Sequence, residues 1–295
     1  MSFSSDVKNE LVSLEMVPDC CKHAESYGML LFGRSFATSS VCFAAENRTV
    51  CDKYAEVIEN VTGNIPVYEE HDKMTVISVR TMAERKAVLG AFGHAPNEFS
   101  LRINRANLES ECCQAAFIRG AFLSCGTVGS PEKNYHLEFV IPFLKLSGDL
   151  FTLLQELGLQ PKKVVRKGYH VIYFKDSENI EDVLTLMGAT NSTLKLIGVK
   201  INKDMRNRIN RRINFETANI DRAVNAGTVQ LEAIRKIERI SGLDSLPDGL
   251  RETAQMRLDN PEASLNELEE LFEGRLSRSG INHRLTRLVK LANEL

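Results

Sequence analysis

The sequence predicts an α+β fold, a tandem αββαββα repeat domain followed by an all-α domain. Three observations carry that prediction. Cys20-Cys21 recurs as Cys112-Cys113, and the same shift carries Gly28 onto Gly120 and Leu31 onto Leu123. After each cysteine pair the apolar residues repeat in the same succession of helical and alternating spacings. Near residue 200 the composition changes, and the remainder of the chain reads as helices only. The boundaries drawn from this are residues 1–195 for the repeat domain, with copies at about 20–93 and 112–188. A helical linker at 196–242 and a last domain at 243–295 complete the chain.

In each copy an apolar helix ends near residue 33 or 125. Strand-like runs come next, at Ser39 to Ala45 and at Tyr135 to Ile141. The next helices, Cys51 to Thr62 and Phe143 to Leu157, stop at Gly63 and Gly158, where a glycine suits the left-handed residue of a helix end. Two short strands around a polar turn come next. In copy one they span Val67 to Val79 with Glu69 to Lys73 between; in copy two they span Lys163 to Phe174 with Lys167-Gly168 between. Helices at Met82 to Phe92 and Ile180 to Met187 close the two units.

The helical part is justified in the same way. Ile220, Val224, Leu231, Ile234 and Ile237 give Asp221 to Ile240 one apolar face. Ser241-Gly242 stops that helix. Leu246-Pro247-Asp248 opens the next, with Leu250, Ala254 and Leu258 inward, and Asn260-Pro261 ends it. Ser264 and Glu267 are spaced as a capping box for a short helix burying Leu265, Leu268 and Phe272. A turn at Glu273 to Leu276 leads to Ser277, the expected N-cap of the last helix. A short helix joined by a Gly-containing turn to a basic one is a helix-turn-helix pattern.

The last helix divides into two faces. Ile281, Leu285, Leu288 and Ala292 share one. Ser279, Asn282, His283, Thr286, Arg287 and Lys290 share the other, with Arg278 at the helix start, and no acid occurs from Gly274 to Asn293. Such side chains read base edges and phosphates. A solvated surface helix shares this pattern, but a long acid-free stretch in a near-neutral chain favours DNA. His283 has no partner at metal-ligand spacing and is read as a phosphate or base contact. A second basic cluster, Arg206, Arg208, Arg211 and Arg212 after Lys200 and Lys203, contains one acid, Asp204; it is read as a backbone-holding segment.

Composition excludes other classes. With 37 Lys+Arg against 39 Asp+Glu the net charge is −2, and 43% of residues are hydrophobic. That is the profile of a folded, unbiased chain rather than a collagen-like or disordered one. No apolar run approaches the roughly 18 residues of a membrane helix. Met1 to Val17 is acidic and amphipathic, unlike an export signal. The seven cysteines, at 20, 21, 42, 51, 112, 113 and 125, form no CxxC. Cys20, Cys21 and His23 are only a partial ligand set for zinc. They are read as small buried side chains in a reducing cytoplasm; no metal and no cofactor are expected.

The opening helix of copy two, Ala116 to Val128, resembles the signature helix of the LAGLIDADG homing endonucleases. The resemblance implies that Gly28 and Gly120 let two such helices pack closely at the repeat interface. It also implies a metal-binding acid at the end of each helix, but Gly33 and Cys125 stand there. Hard divalent cations need oxygen ligands, so the resemblance implies the homing-endonuclease fold without the cleavage chemistry. Nearby acids such as Glu25 and Glu138 are read as structural or solvated. A DNA saddle would be basic on both halves; here Lys162, Lys163, Arg166 and Lys167 face an acidic counterpart, Glu69, Glu70 and Asp72.

As a whole the chain resembles the WhiA family of bacterial transcription regulators, which join a degenerate LAGLIDADG-like domain to a helix-turn-helix similar to sigma region 4. The resemblance is carried by Met1 to Lys8, Arg119 to Val128, Asn214 to Asn219, Gly242 to Pro247 and Ser279 to Leu285. It implies binding to promoter sites in double-stranded DNA, a role in sporulation or cell division, and a place in the cytoplasm at the nucleoid. Transcription machinery or another regulator is the further partner it allows, and no membrane. The alternatives carried beside it are a residual metal-dependent endonuclease and a protein- or ligand-interaction module.

Overall fold

A computed structural model describes every residue except Met1, Met16, Val17 and Phe99; the side chains of Ile220 and Ala223 also lie outside the described residues. The chain forms two compact units, Met1–Lys203 and Asp204–Leu295.

The first unit opens with α1 (Phe3–Val12), capped by the Ser2 hydroxyl. The last residues of the amphipathic stretch Met1 to Val17 lie outside the described residues. Copy one then runs α2 (Asp19–Leu31), β1 (Ser35–Phe36), β2 (Val41–Ala45), α3 (Arg48–Thr62), β3 (Val67–His71), β4 (Met74–Ser78) and α4 (Met82–Ala91). Copy two runs α5 (Glu111–Cys125), β5 (Gly126–Val128), β6 (Leu137–Ile141), α6 (Leu144–Glu156), β7 (Lys162–Arg166), β8 (Tyr169–Phe174) and α7 (Ser177–Met187). Both four-stranded sheets are antiparallel and share one order, β1-β2-β4-β3 and β5-β6-β8-β7. This is the expected αββαββα unit, made twice.

Local chemistry explains the element ends. Gly63 and Gly188 end α3 and α7 at φ 70° and 92°. Thr81 and Glu84 form a reciprocal cap on α4. In β6 the alternation buries Leu137, Phe139 and Ile141. The turn between β7 and β8 takes positive φ at both Lys167 and Gly168, the conformation whose twist suits a two-residue hairpin. One expectation is corrected. Glu69, Glu70 and His71 belong to β3, paired with Val76, Thr75 and Met74, so the turn is only Asp72-Lys73. β3 is an edge strand, and exposed charge there protects the edge without spoiling the ladder.

The centre of the unit is the α2–α5 packing. Added methyl groups show how close the backbones come. A Cβ on Gly28 would overlap the Phe117 carbonyl oxygen and stand 3.0 Å from the Ala121 nitrogen; one on Gly120 would overlap the Glu25 carbonyl oxygen and stand 2.8 Å from the Met29 nitrogen. Around this crossing Tyr27, Met29, Leu30, Phe117, Ile118 and Phe122 are buried. A buried ion pair, Arg119 Nε to Glu25 Oε2 at 2.6 Å, joins the two helices, and Arg119 Nη1 also donates to the Met187 carbonyl at 2.9 Å.

The cysteine reading needs a correction too. Cys21, Cys51 and Cys113 are buried, but Cys20 and Cys112 are exposed. They lie in the first turns of α2 and α5, outside the core that those helices build further along.

The second unit takes up the end of α8 (Thr190–Ser241), then α9 (Asp248–Asp259), α10 (Leu265–Leu271) and α11 (Arg278–Glu294). Its core joins Ala233, Ile234 and Ile237 of α8 to Leu250, Ala254, Leu268, Phe272, Ile281, Leu285, Leu288 and Ala292. The expected helix Asp221 to Ile240 is therefore the end of a longer one. Of its expected face, Ile234 and Ile237 are buried and Leu231 half-buried, whereas Val224 is exposed; the Ile220 side chain lies outside the described residues. Buried Arg257 donates to Gln230 Oε1 through Nε at 3.1 Å and Nη2 at 2.8 Å, tying α9 to α8. Among the described residues no helix is long and apolar enough to cross a membrane.

Candidate nucleic-acid interface

Helix α11 starts where its first-turn donors are met. The Ser277 hydroxyl accepts from the Gly280 nitrogen at 3.3 Å, and Glu269 Oε1 accepts from the Arg278 nitrogen at 3.1 Å. The preceding turn needs positive φ at Glu273 and Gly274, which swings the chain from α10 into α11. Burying Ile281, Leu285, Leu288 and Ala292 fixes the rotation of the helix. Arg278, Ser279, Asn282, His283, Thr286, Arg287 and Lys290 are consequently turned away from that core, and all of them are exposed. Among the described residues no ion pair involves Arg278, Arg287 or Lys290. The Thr286 hydroxyl donates back to the Asn282 carbonyl at 2.7 Å, which leaves its lone pairs outward.

Arg284, within the same acid-free run, does something different. Its Nη1 donates to the Gly249 carbonyl at 3.0 Å and to the Thr253 hydroxyl at 3.3 Å, and a Cβ on Gly249 would come within 3.1 Å of the guanidinium carbon. Arg284 docks α11 on α9. Charge alone did not separate it from its neighbours; its half-buried helical position does.

The basic segment of α8 is less uniform than its composition. Lys200 pairs with Glu181 at 3.2 Å and Glu178 at 3.5 Å. Lys203 donates to the Pro131 carbonyl at 2.6 Å and lies over the Tyr135 ring. Arg206, Arg208, Arg211 and Arg212 are exposed, and Arg212 pairs with Glu216 at 2.8 Å.

Neither Gly33 nor Cys125 offers a side-chain oxygen. A Cβ on Gly33 would stand 2.9 Å from the Tyr54 hydroxyl and 3.1 Å from the Cys42 carbonyl, so a longer side chain has no room. Burial pushes the Cys125 thiol up to about 12 and lowers the nearby Lys8 to about 8. The Lys8 ammonium donates to the Leu123 carbonyl at 2.9 Å. Glu25 is held by Arg119, while Glu138 binds His136 at 2.8 Å and Arg166 at 3.3 Å. Of the hairpin charges, Glu70 is met by Arg48 of α3 at 2.6 Å and Lys162 by Asp176, the N-cap of α7, at 3.7 Å.

Known proteins resemble this chain in both of its units. The family model for the WhiA C-terminal HTH domain matches residues 209–292, and that for the WhiA LAGLIDADG-like domain matches residues 114–206. The probable cell division protein WhiA of Ruminiclostridium cellulolyticum is 34% identical, covering 100% of this chain and 98% of that protein. The protein of the same name from Clostridium botulinum is 36% identical, covering 100% and 99%. Among solved structures, full-length DUF199/WhiA from Thermotoga maritima superposes with a TM-score of 0.60 at 21% identity, covering 100% of this chain and 99% of that one.

Proposed function

The chain belongs to the WhiA family, and from that premise we propose that it is a non-enzymatic, sequence-specific regulator that binds promoter sites in double-stranded DNA. The observation that carries this reading is α11, whose outward face holds Arg278, Ser279, Asn282, His283, Thr286, Arg287 and Lys290 with no acid among them. In a helix-turn-helix the second helix enters the major groove with its N-terminal residues on base edges. Asn pairs with adenine and Arg with guanine there. Arg206, Arg208, Arg211 and Arg212 would hold phosphates, which position without specifying.

The LAGLIDADG-like domain, in this reading, serves as a scaffold and not as a nuclease. Gly33 and Cys125 supply no oxygen for a hard cation, and Lys8 adds positive charge. The genes controlled would be those of cell division or sporulation, in keeping with the relatives' name, and the protein would act in the cytoplasm at the nucleoid. Transcription machinery or another regulator would be its protein partner.

Genome-wide footprints of the intact protein test the reading, together with promoter affinity of Asn282→Ala and Arg287→Ala. Discrete promoter sites that weaken in both variants support it. Wild-type affinity in both variants would sink the assignment of α11. Nicking of bound DNA that depends on Mg²⁺ or Mn²⁺ would overturn the non-enzymatic part alone.

A further inference from the structure

Along the chain the cysteines supply no ligand set. Folded, they do. Cys20 and Cys21 lie in the first turn of α2, and Cys112 and Cys113 in the first turn of α5. The two helices pack side by side through Gly28, Gly120 and the Glu25–Arg119 pair, so their first turns meet at one end of the unit. The Sγ atoms of Cys20, Cys21, Cys112 and Cys113 all lie within 4.8 Å of one another. His23, the third member of the partial set read from the sequence, is engaged elsewhere, with Nε2 at 2.9 Å from Asn107 Oδ1.

We infer that Cys20, Cys21, Cys112 and Cys113 form a tetrathiolate site for one soft divalent metal ion of the zinc class, which pins together the opening turns of the two repeats. The size fits. Zinc–sulfur bonds of about 2.3 Å in a tetrahedron place sulfurs roughly 3.8 Å apart, so the quartet closes on an ion with small side-chain rotations. The donor set fits as well. Four thiolates without a hard oxygen ligand favour Zn²⁺ over Mg²⁺ or Ca²⁺. A four-iron cluster, held by thiolates that stand outside its cube, needs a wider cage than this.

All four sulfurs sit in the first turns of helices, where the helix dipoles stabilise anions. The Ser110 hydroxyl lies 3.1 Å from Cys112 Sγ and 3.0 Å from Cys113 Sγ, an outer-shell partner of the kind that orients metal ligands. A thiol that coordinates a bound dication gives up its proton outright. Two of these cysteines are buried and two exposed, so an ion can enter from solvent and still be enclosed on its inner side. Each repeat donates two ligands, so neither copy could bind the ion alone.

Cobalt titration of the full-length protein under reducing conditions tests this. The expected result is one Co²⁺ per chain, with sulfur-to-cobalt charge transfer and the intense visible bands of tetrahedral cobalt, bleached by one equivalent of Zn²⁺. Cys20→Ser/Cys112→Ser, made at the two exposed positions, should lose these bands while keeping the wild-type circular dichroism. Cys42→Ser should retain them. Absence of tetrahedral bands in the reduced wild type, or an unchanged titration in the double variant, overturns the inference. So does an α2–α5 disulfide in the purified protein with no cobalt uptake after reduction, which would make the quartet a redox pair.

Discussion

The packing of α2 on α5 and the outer face of α11 are both rich in polar groups, and they use them in opposite ways. At the repeat interface Arg119 meets Glu25 and the Met187 carbonyl, Lys8 meets the Leu123 carbonyl, and the Ser124 hydroxyl donates to the Met29 carbonyl at 2.7 Å. On α11 the outward Arg287 and Lys290 form no ion pair among the described residues. Charge that is committed to the fold holds it together. Charge left on a surface that the fold has already oriented is free for a ligand. The same distinction runs through α8, where Lys200 and Lys203 are engaged and Arg206 and Arg208 stand exposed.

The comparison breaks most severely at the helix crossing. Gly28→Val should abolish cooperative folding of the first unit or cost about 4 kcal/mol or more, because the obstacle is the Phe117 backbone and not a movable side chain. Gly90→Ala is the matched control. Gly90 lies in α4 with nothing near its missing Cβ, and the change should stabilise by about 0.5–1 kcal/mol. Urea denaturation followed by circular dichroism distinguishes them; equal midpoints would show that the crossing is not tight.

Next in size is the buried ion pair. Arg119→Met leaves the Glu25 carboxylate buried without its partner and should cost about 3–5 kcal/mol. Arg119→Met with Glu25→Gln should recover a large part of that loss, since the buried charge goes too. A double-mutant cycle in urea reads the coupling. Additive losses would mean that the pair contributes nothing beyond the separate groups.

Much of this was legible in the chain. The order of elements in both repeats, the box formed by Ser264 and Glu267, the Ser277 cap and the outward face of α11 all arise from short-range spacing, and helix and turn chemistry is local. What the sequence hid depends on distant partners. β1 and β5 are too short to show alternation. The strand residues Glu69 to His71 look like a turn because an exposed edge tolerates charge. The continuity of α8 was obscured because, among the described residues, its middle has no buried face, so its apolar spacing carries no signal. Arg257 and Arg284 look like any surface arginine until Gln230, Gly249 and Thr253 are brought to them. The cysteine quartet is the sharpest case, since two Cys-Cys pairs far apart in sequence give no ligand spacing until α2 and α5 pack.

On the α11 side the expected effects are smaller and fall on binding, not folding. Arg287→Ala and Asn282→Ala should each weaken promoter affinity by about 1–3 kcal/mol and leave the melting temperature within error, because both side chains are exposed. Arg284→Ala should reverse the pattern, losing stability through the Gly249 and Thr253 bonds. An Arg284 variant with normal stability and weakened binding would move that residue from the folded scaffold to the interface.

The smallest effect is the most diagnostic for committed against free charge. Each phosphate contact releases condensed counterions, so losing one should lower the slope of log affinity against log salt by about 1. Arg208→Gln should show that drop. Lys203→Gln should not, because its ammonium is engaged by the Pro131 carbonyl and the Tyr135 ring. Affinity measured across a salt series for both variants decides it. The two substitutions remove the same charge from one helix, so a general field effect would lower both slopes alike. A drop in the Arg208 variant only would trace the loss to a phosphate contact at that position.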